Sequence, residues 1–263
     1  MAVPVFMYHS VTDHPVDATR SLSVSPRLLA EQLAALADLG FTGVSFSRLR
    51  DALVRDEHLP DRTVVLTFDD GYDDFHGAAL PLLERHGFSA TVFVTTGWVR
   101  DAGRHAAGRP LARTLSWSQV AEAAAAGVEI GAHSHSHPEL DQLPQRALQD
   151  ELRTSKALLE DRLDGAVRSL AYPYGYSSRR VRAAAAAVGY DAAAAVANAV
   201  ARDDADPFAV PRLTVRRSMT AETLEALAHR RAVTRTYALQ RVMTKGWASV
   251  RRTRSVATRL AGG

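Results

Sequence analysis

About seven times along this chain a short β-favouring run gives way to a stretch of helical period. Strands that recur with a helix after each can lie parallel in one sheet with the helices packed on it, open or closed into a barrel. Strands are expected at residues 3–8, 41–45, 64–68, 89–95, 128–132, 169–172 and 190–197. Residues 208–215 add an irregular or edge strand, because Pro211 interrupts them. Helices are expected at 26–39, 47–55, 74–86, 116–126, 144–163, 178–188 and 220–229. Several open on a capping residue (Ser25, Ser116, and Ser177 or Ser178) and close on a glycine (Gly40, Gly87, Gly127, Gly189). The fold class that follows is α/β. The 263 residues suffice for one large domain or two small ones.

Active sites of parallel α/β folds are built at the C-terminal ends of the strands. His9, Asp69, Asp70, His133, His137 and Tyr174 all fall at such ends. The most telling run is Val64-Val65-Leu66-Thr67-Phe68-Asp69-Asp70-Gly71, a buried strand delivering two carboxylates to a glycine turn. Successive side chains on a strand point opposite ways, so the two acids are expected to do different jobs. Side by side they repel unless a cation is near.

The partner segment is His133-Ser134-His135-Ser136-His137-Pro138. The chain has no cysteine, so thiolate nucleophiles, disulfides and cysteine zinc sites are excluded, and any metal must sit on histidine and carboxylate. Two imidazoles and one carboxylate suit Zn²⁺, with Co²⁺, Ni²⁺ or Fe²⁺ as alternatives, and leave positions open for water and substrate. A cation so held polarises a carbonyl and acidifies water, and the second carboxylate serves as general base. Taken alone, Asp-Asp-Gly reads equally as a turn with solvated acids, and the histidine run as surface imidazoles. Together at strand ends they point to a metal centre. His135 points away from its neighbours in an extended segment and is expected to be packed, not a ligand.

These segments resemble three motifs of the polysaccharide deacetylases with the NodB homology domain, carbohydrate esterase family 4. They are Thr67-Phe68-Asp69-Asp70-Gly71, the His133–His137 run with Pro138, and Leu170-Ala171-Tyr172-Pro173-Tyr174-Gly175. The resemblance spans roughly residues 3–215. It implies an irregular (β/α)₇ barrel that removes acetyl groups from sugars with a divalent metal. By the same resemblance Asp69 is the general base, Asp70, His133 and His137 bind the metal, and the backbone N–H of Tyr174 belongs to the oxyanion hole.

Two positions depart from the family pattern. Ala171 stands where the third motif usually carries the arginine that orients the base, and no late histidine matches the usual general acid. The opening Pro4-Val5-Phe6-Met7-Tyr8-His9 resembles a permuted subgroup that deacetylates poly-β-1,6-N-acetylglucosamine, in which a histidine after the first strand is the acid. That role falls to His9, and Arg212 is the candidate replacement for the missing arginine. Tyr174, Pro173, Tyr72 and Trp98 are expected to line a small sugar site.

Other readings stay open. The motifs specify a reaction centre, not a sugar, so an amidohydrolase acting on a non-sugar C–N bond fits them too. A non-catalytic carbohydrate-binding relative is supported only by the alanine at 171. The expected domains are a barrel over 1–229 and a basic tail over 230–263. After Glu225 there is no acid and there are nine basic residues. Residues 231–260 read as a basic helix with Leu239, Met243, Trp247 and Val250 on one face, lying on an anionic membrane or packed on the barrel, or else as a disordered tail. Nothing beyond charge favours nucleic acid, and a monomer is expected. No basic, apolar leader opens the chain, so a cytoplasmic location is the expectation.

Overall fold

In a computed structural model, described here for residues 1–55 and 57–238, a curled parallel sheet carries helices on its outer face. The strands are β1 (Ala2–Val3), β2 (Val5–Tyr8), β3 (Thr42–Val44), β4 (Thr63–Phe68), β5 (Thr91–Val94), β6 (Glu129–Ala132), β7 (Ser169–Ala171), β8 (Ala192–Ala194), β9 (Ala201–Arg202) and β10 (Leu213–Thr214). The helices are α1 (Pro26–Asp38), α2 (Phe46–Arg55), α3 (Leu80–His86), α4 (Trp117–Ala125), α5 (Gln145–Leu163), α6 (Arg179–Val188) and α7 (Ala221–Ala228). The main sheet runs β10-β2-β4-β5-β6-β7-β8, all parallel, with β3 also on β4. β1 and β9 form a separate antiparallel pair.

The alternation of side chains along each strand divides the core in two. One face, with Phe6, Tyr8, Val64, Leu66 and Phe68, meets the helices. α1 is a clear case: Ser25 caps it by accepting from Leu28 N–H, and Leu29, Leu33 and Leu36 are buried on the sheet side. Each such leucine contributes about 1.5–3 kcal/mol. The opposite face, with Val5, Val65, Phe93, Ala171, Ala192 and Ala194, fills the barrel interior.

Residues 210–214 close the curl. Val210 bonds into β8, donating to the Ala193 carbonyl at 3.0 Å and accepting from Ala195 N–H at 2.9 Å. Leu213 and Thr214 then pair with β2. Pro211, which has no N–H to offer a ladder, sits where the chain changes partner. The single strand expected over 208–215 is thus a helical turn at Pro207–Ala209, a switch, and a two-residue edge strand.

The helix expected from residue 74 begins instead as a wide π turn, Phe75–Ala79, before regular α3. Most of the basic tail reading lies outside the described residues. Before residue 239 the tail shows one short helical turn, Val233–Thr236, and Tyr237, whose buried hydroxyl donates to the Thr214 carbonyl at 2.9 Å. Among the described residues no helix is long and apolar enough to cross a membrane.

Candidate metal and hydrolytic site

Register brings the site together. Tyr8 pairs with Phe68, and Asp69 N–H donates to the Tyr8 carbonyl at 3.0 Å, so His9 leaves β2 level with Asp69 leaving β4. Val65 and Val5 face the interior, so Thr67 and Asp69, two and four residues on from Val65, point the same way. Leu213 pairs with Phe6, which places Arg212 opposite Val5 on that inward face.

Arg212 is the largest fully buried side chain among the described residues. Its guanidinium meets Asp69 edge to edge, Nη1 to Oδ1 at 2.6 Å and Nη2 to Oδ2 at 2.7 Å. Nη1 also donates to the Thr67 hydroxyl at 3.1 Å and Nε to the Ala195 carbonyl at 3.2 Å. A two-pronged arginine fixes the plane of a carboxylate as well as its charge. Burial alone would push the Asp69 carboxyl up. The charge of Arg212, then that of His133, brings it below the ordinary aspartate value.

Asp70 turns away from that pair. Its backbone is left-handed, φ 73°, followed by Gly71 at φ 70°, so two adjacent acids end in different company. Asp70 Oδ1 lies 3.4 Å from His133 Nε2 and 3.3 Å from His137 Nε2. Tetrahedral ligands at about 2.0–2.1 Å from a zinc ion stand roughly 3.3 Å apart, and these separations match. That same oxygen is buried without a hydrogen-bond partner in the protein. The three donor atoms lie within 4.8 Å of one another. A divalent cation would satisfy the oxygen and both nitrogens at once, so the residues fit the metal their sequence implies. Burial pushes Asp70 up, but the neighbouring imidazoles hold it well below the ordinary value.

The tautomer of His133 follows from its contacts. Its Nδ1 lies 2.9 Å from the Ala171 carbonyl, which can only accept, so Nδ1 carries the proton and Nε2 presents a lone pair. Burial lowers the His133 pKa, but the charges of Asp69 and Asp70 raise it overall. Position 171 carries only a methyl group, and its backbone carbonyl orients the His133 ring. His137 is packed on three sides, by Trp98 at 4.7 Å between ring centroids, Tyr174 at 4.8 Å and His133 at 4.9 Å. His135 turns away, its Nδ1 2.9 Å from the Thr96 hydroxyl.

His9 is half-buried and its Nδ1 has no hydrogen-bond partner in the protein. Burial depresses its pKa, against the pull of Asp70 and Asp69. Tyr174 sits in a helical turn, Pro173–Gly175, at φ 60°; the residue is 56% exposed and its ring stacks on Tyr176 at 5.9 Å. Pro173 is buried.

Two of the expected sugar contacts are placed otherwise. Tyr72 is 1% exposed and Trp98 6%. Trp98 spends its ring on His137, and Tyr72 lies among Asp70, Asp74 and Asp69, where burial and these charges push its hydroxyl up. Both form the wall behind Asp70 and His137, which residue type alone could not distinguish from a sugar platform. A residue the sequence did not single out is Glu151 on α5, which hydrogen-bonds to His135 and Ser136, between His133 and His137. No spacing rule marks an acid on a later helix for such contact.

The polysaccharide deacetylase family profile matches residues 56–193. The chain is 26% identical over 224 residues to YxkH of Bacillus subtilis (strain 168), covering 85% of this chain and 75% of that protein. It is 34% identical over 139 residues to poly-β-1,6-N-acetyl-D-glucosamine N-deacetylase of Escherichia coli (strain K12), 49% of this chain and a stretch amounting to 20% of that protein. Among solved structures it resembles the Streptococcus pyogenes deacetylase PplD in complex with acetate, with a TM-score of 0.78 and 27% identity over 86% of this chain and 97% of that one. It also resembles IcaB from Ammonifex degensii, with a TM-score of 0.71 and 27% identity over 87% and 96%.

Proposed function

This chain belongs to the polysaccharide deacetylase family, with the curled α/β barrel of its structural relatives, and from that premise we propose a metal-dependent hydrolase that removes acetyl groups from the N-acetylated sugars of a polysaccharide or its precursor. The observation that carries the proposal is the contrast between two adjacent acids. Asp70 shares one space with two imidazole nitrogens, while Asp69 is held apart, charged, by Arg212.

In this reading Asp70, His133 and His137 hold a divalent cation, zinc first. When bound, it supplies Lewis acidity that polarises the acetyl carbonyl and acidifies water. Asp69 takes the proton of the attacking water, and Arg212 keeps it ionised and fixed in plane. Tyr174 N–H donates to the carbonyl oxygen as negative charge develops. His9 gives a proton to the departing amine; its burial makes the imidazolium a ready donor, because a lower pKa is a stronger acid. The exposed Tyr174–Tyr176 pair offers a ring face for the sugar. The 34%-identical relative is named for N-acetylglucosamine in β-1,6 linkage, which makes such oligomers the first substrates to try.

The test is acetate release from β-1,6- and β-1,4-linked N-acetylglucosamine oligomers, before and after chelation and with zinc or cobalt restored. Release that stops on chelation and returns with metal is expected. Undiminished release after complete metal removal would overturn the metal role, and no release from any acetylated sugar would overturn the substrate class.

A further inference from the structure

We infer that Glu151 is a positioning residue: from α5 its carboxylate holds the backbone of the loop that presents His133 and His137. The inference rests on the metal-site reading above. That loop has an unfavourable path. It enters left-handed backbone at Ser134, φ 61°, and again at His137, φ 62°, where residues with side chains are strained. Such a path persists only if its surroundings determine it.

Glu151 is well placed to do so. One carboxylate oxygen accepts from two successive amides, His135 N–H at 2.9 Å and Ser136 N–H at 2.8 Å. The other accepts from the Ser136 hydroxyl. Within the loop, His137 N–H donates to the Ser134 hydroxyl at 3.0 Å, so the turn that Glu151 grips also sets the His137 peptide. On the opposite side the segment after β5 closes in. Gly97 N–H donates to the His135 carbonyl at 2.7 Å, and a Cβ at Gly97 or Gly108 would run into the carbonyls of His135 and Ser136. The loop is thus gripped by its carbonyls from one side and by its amides from the other, and the amide grip comes from one half-buried glutamate. Glu151 touches neither ligand ring, so it acts through the backbone.

Groups that orient metal ligands typically change affinity 10–100-fold when removed. The experiment uses the full chain, stripped of metal and titrated with cobalt, following the visible spectrum. Glu151→Ala should raise the cobalt dissociation constant at least tenfold and alter the ligand-field bands. Amide exchange at His135 and Ser136 should speed up in the metal-free protein. Glu151→Gln keeps an acceptor for both amides and should recover most of the affinity. Glu151→Asp is one methylene short of the loop and stands in should the alanine variant not fold. A folded Ala or Asp variant with cobalt affinity within twofold of wild type overturns the inference. So does a variant whose affinity falls while its spectrum and exchange stay unchanged. Wild-type protein that takes up no cobalt removes the metal reading itself, and this inference with it.

Discussion

At the start of its strands this sheet pairs every oxygen of a buried-side acid. Glu129, the first residue of β6, accepts from Ser47 N–H at 2.8 Å, the Ser47 hydroxyl at 2.6 Å, the Thr91 hydroxyl at 3.1 Å and the Ser169 hydroxyl at 2.6 Å. The start rim has orphaned atoms too, Arg50 Nε and Asp51 Oδ1, but at the other ends of the strands they gather around one group of side chains: His9 Nδ1, Asp70 Oδ1, Tyr72 Oη and Trp98 Nε1. There too Asp70, Ser134, His137 and Tyr174 take left-handed backbone without being glycine. Both rims are polar and both are packed. A satisfied network holds strands together. Orphaned donors and acceptors on strained backbone cost stability, and persist where something other than stability is served. The contrast separates structure from chemistry in a way that counting polar residues does not.

That contrast can be broken at four points, the largest effect first. Asp69→Asn should lower kcat by about 10²–10⁴-fold, the usual contribution of a positioned base, and leave cobalt uptake intact. Turnover in that variant within tenfold of wild type would end the assignment of the base.

Arg212→Met should cost about 3–5 kcal/mol in denaturant unfolding, because it strands a buried carboxylate. It carries a sign as well. In the wild type the Asp69 pKa is depressed, so its contribution to stability is present above the ordinary aspartate pKa and lost as pH falls through the lowered value. Without Arg212, burial acts with less opposition and the pKa rises. The acid limb of kcat/KM should then move to higher pH; an unmoved limb would mean that Asp69 is not the group titrating.

At the other rim, Glu129→Ala should cost about 1–3 kcal/mol, the penalty for donors left unsatisfied, with kcat/KM per folded molecule unchanged. A change in turnover there would blur the division between the two rims. The smallest effect sharpens the comparison: Tyr174→Ala should raise KM for an oligosaccharide by roughly fivefold, about 1 kcal/mol of lost ring contact, without moving the melting temperature.

Much of this was legible in the sequence, for physical reasons. Strand–helix alternation is a local signal, as are serine caps and glycine stops, and α1, α4 and α6 begin where Ser25, Ser116 and Ser178 cap them. The Asp-Asp-Gly and histidine runs are contiguous, so their donors could be placed at strand ends before any contact was known. Arg212 could be nominated because the chemistry lacked a cation at position 171; its inward direction needed the register with β2. What sequence does not carry is side-chain direction and long-range pairing. Tyr72 and Trp98 look like sugar platforms by type and are buried walls by geometry. The π turn at Phe75–Ala79 has no propensity signature. Glu151 lies one face of a long helix away from a loop it grips through backbone amides, which no spacing encodes.

The guanidinium that holds Asp69 comes from 143 residues further along the chain, on the segment that bridges the two edges of the sheet. A ribosome making this protein would deliver both adjacent acids, both imidazoles and their loop well before residue 212 left the exit tunnel. Until it did, Asp69 would lack its counter-charge. The pairing of Arg212 with Asp69 and the bridging of the two sheet edges by residues 210–214 are therefore a single event, and it comes late in synthesis.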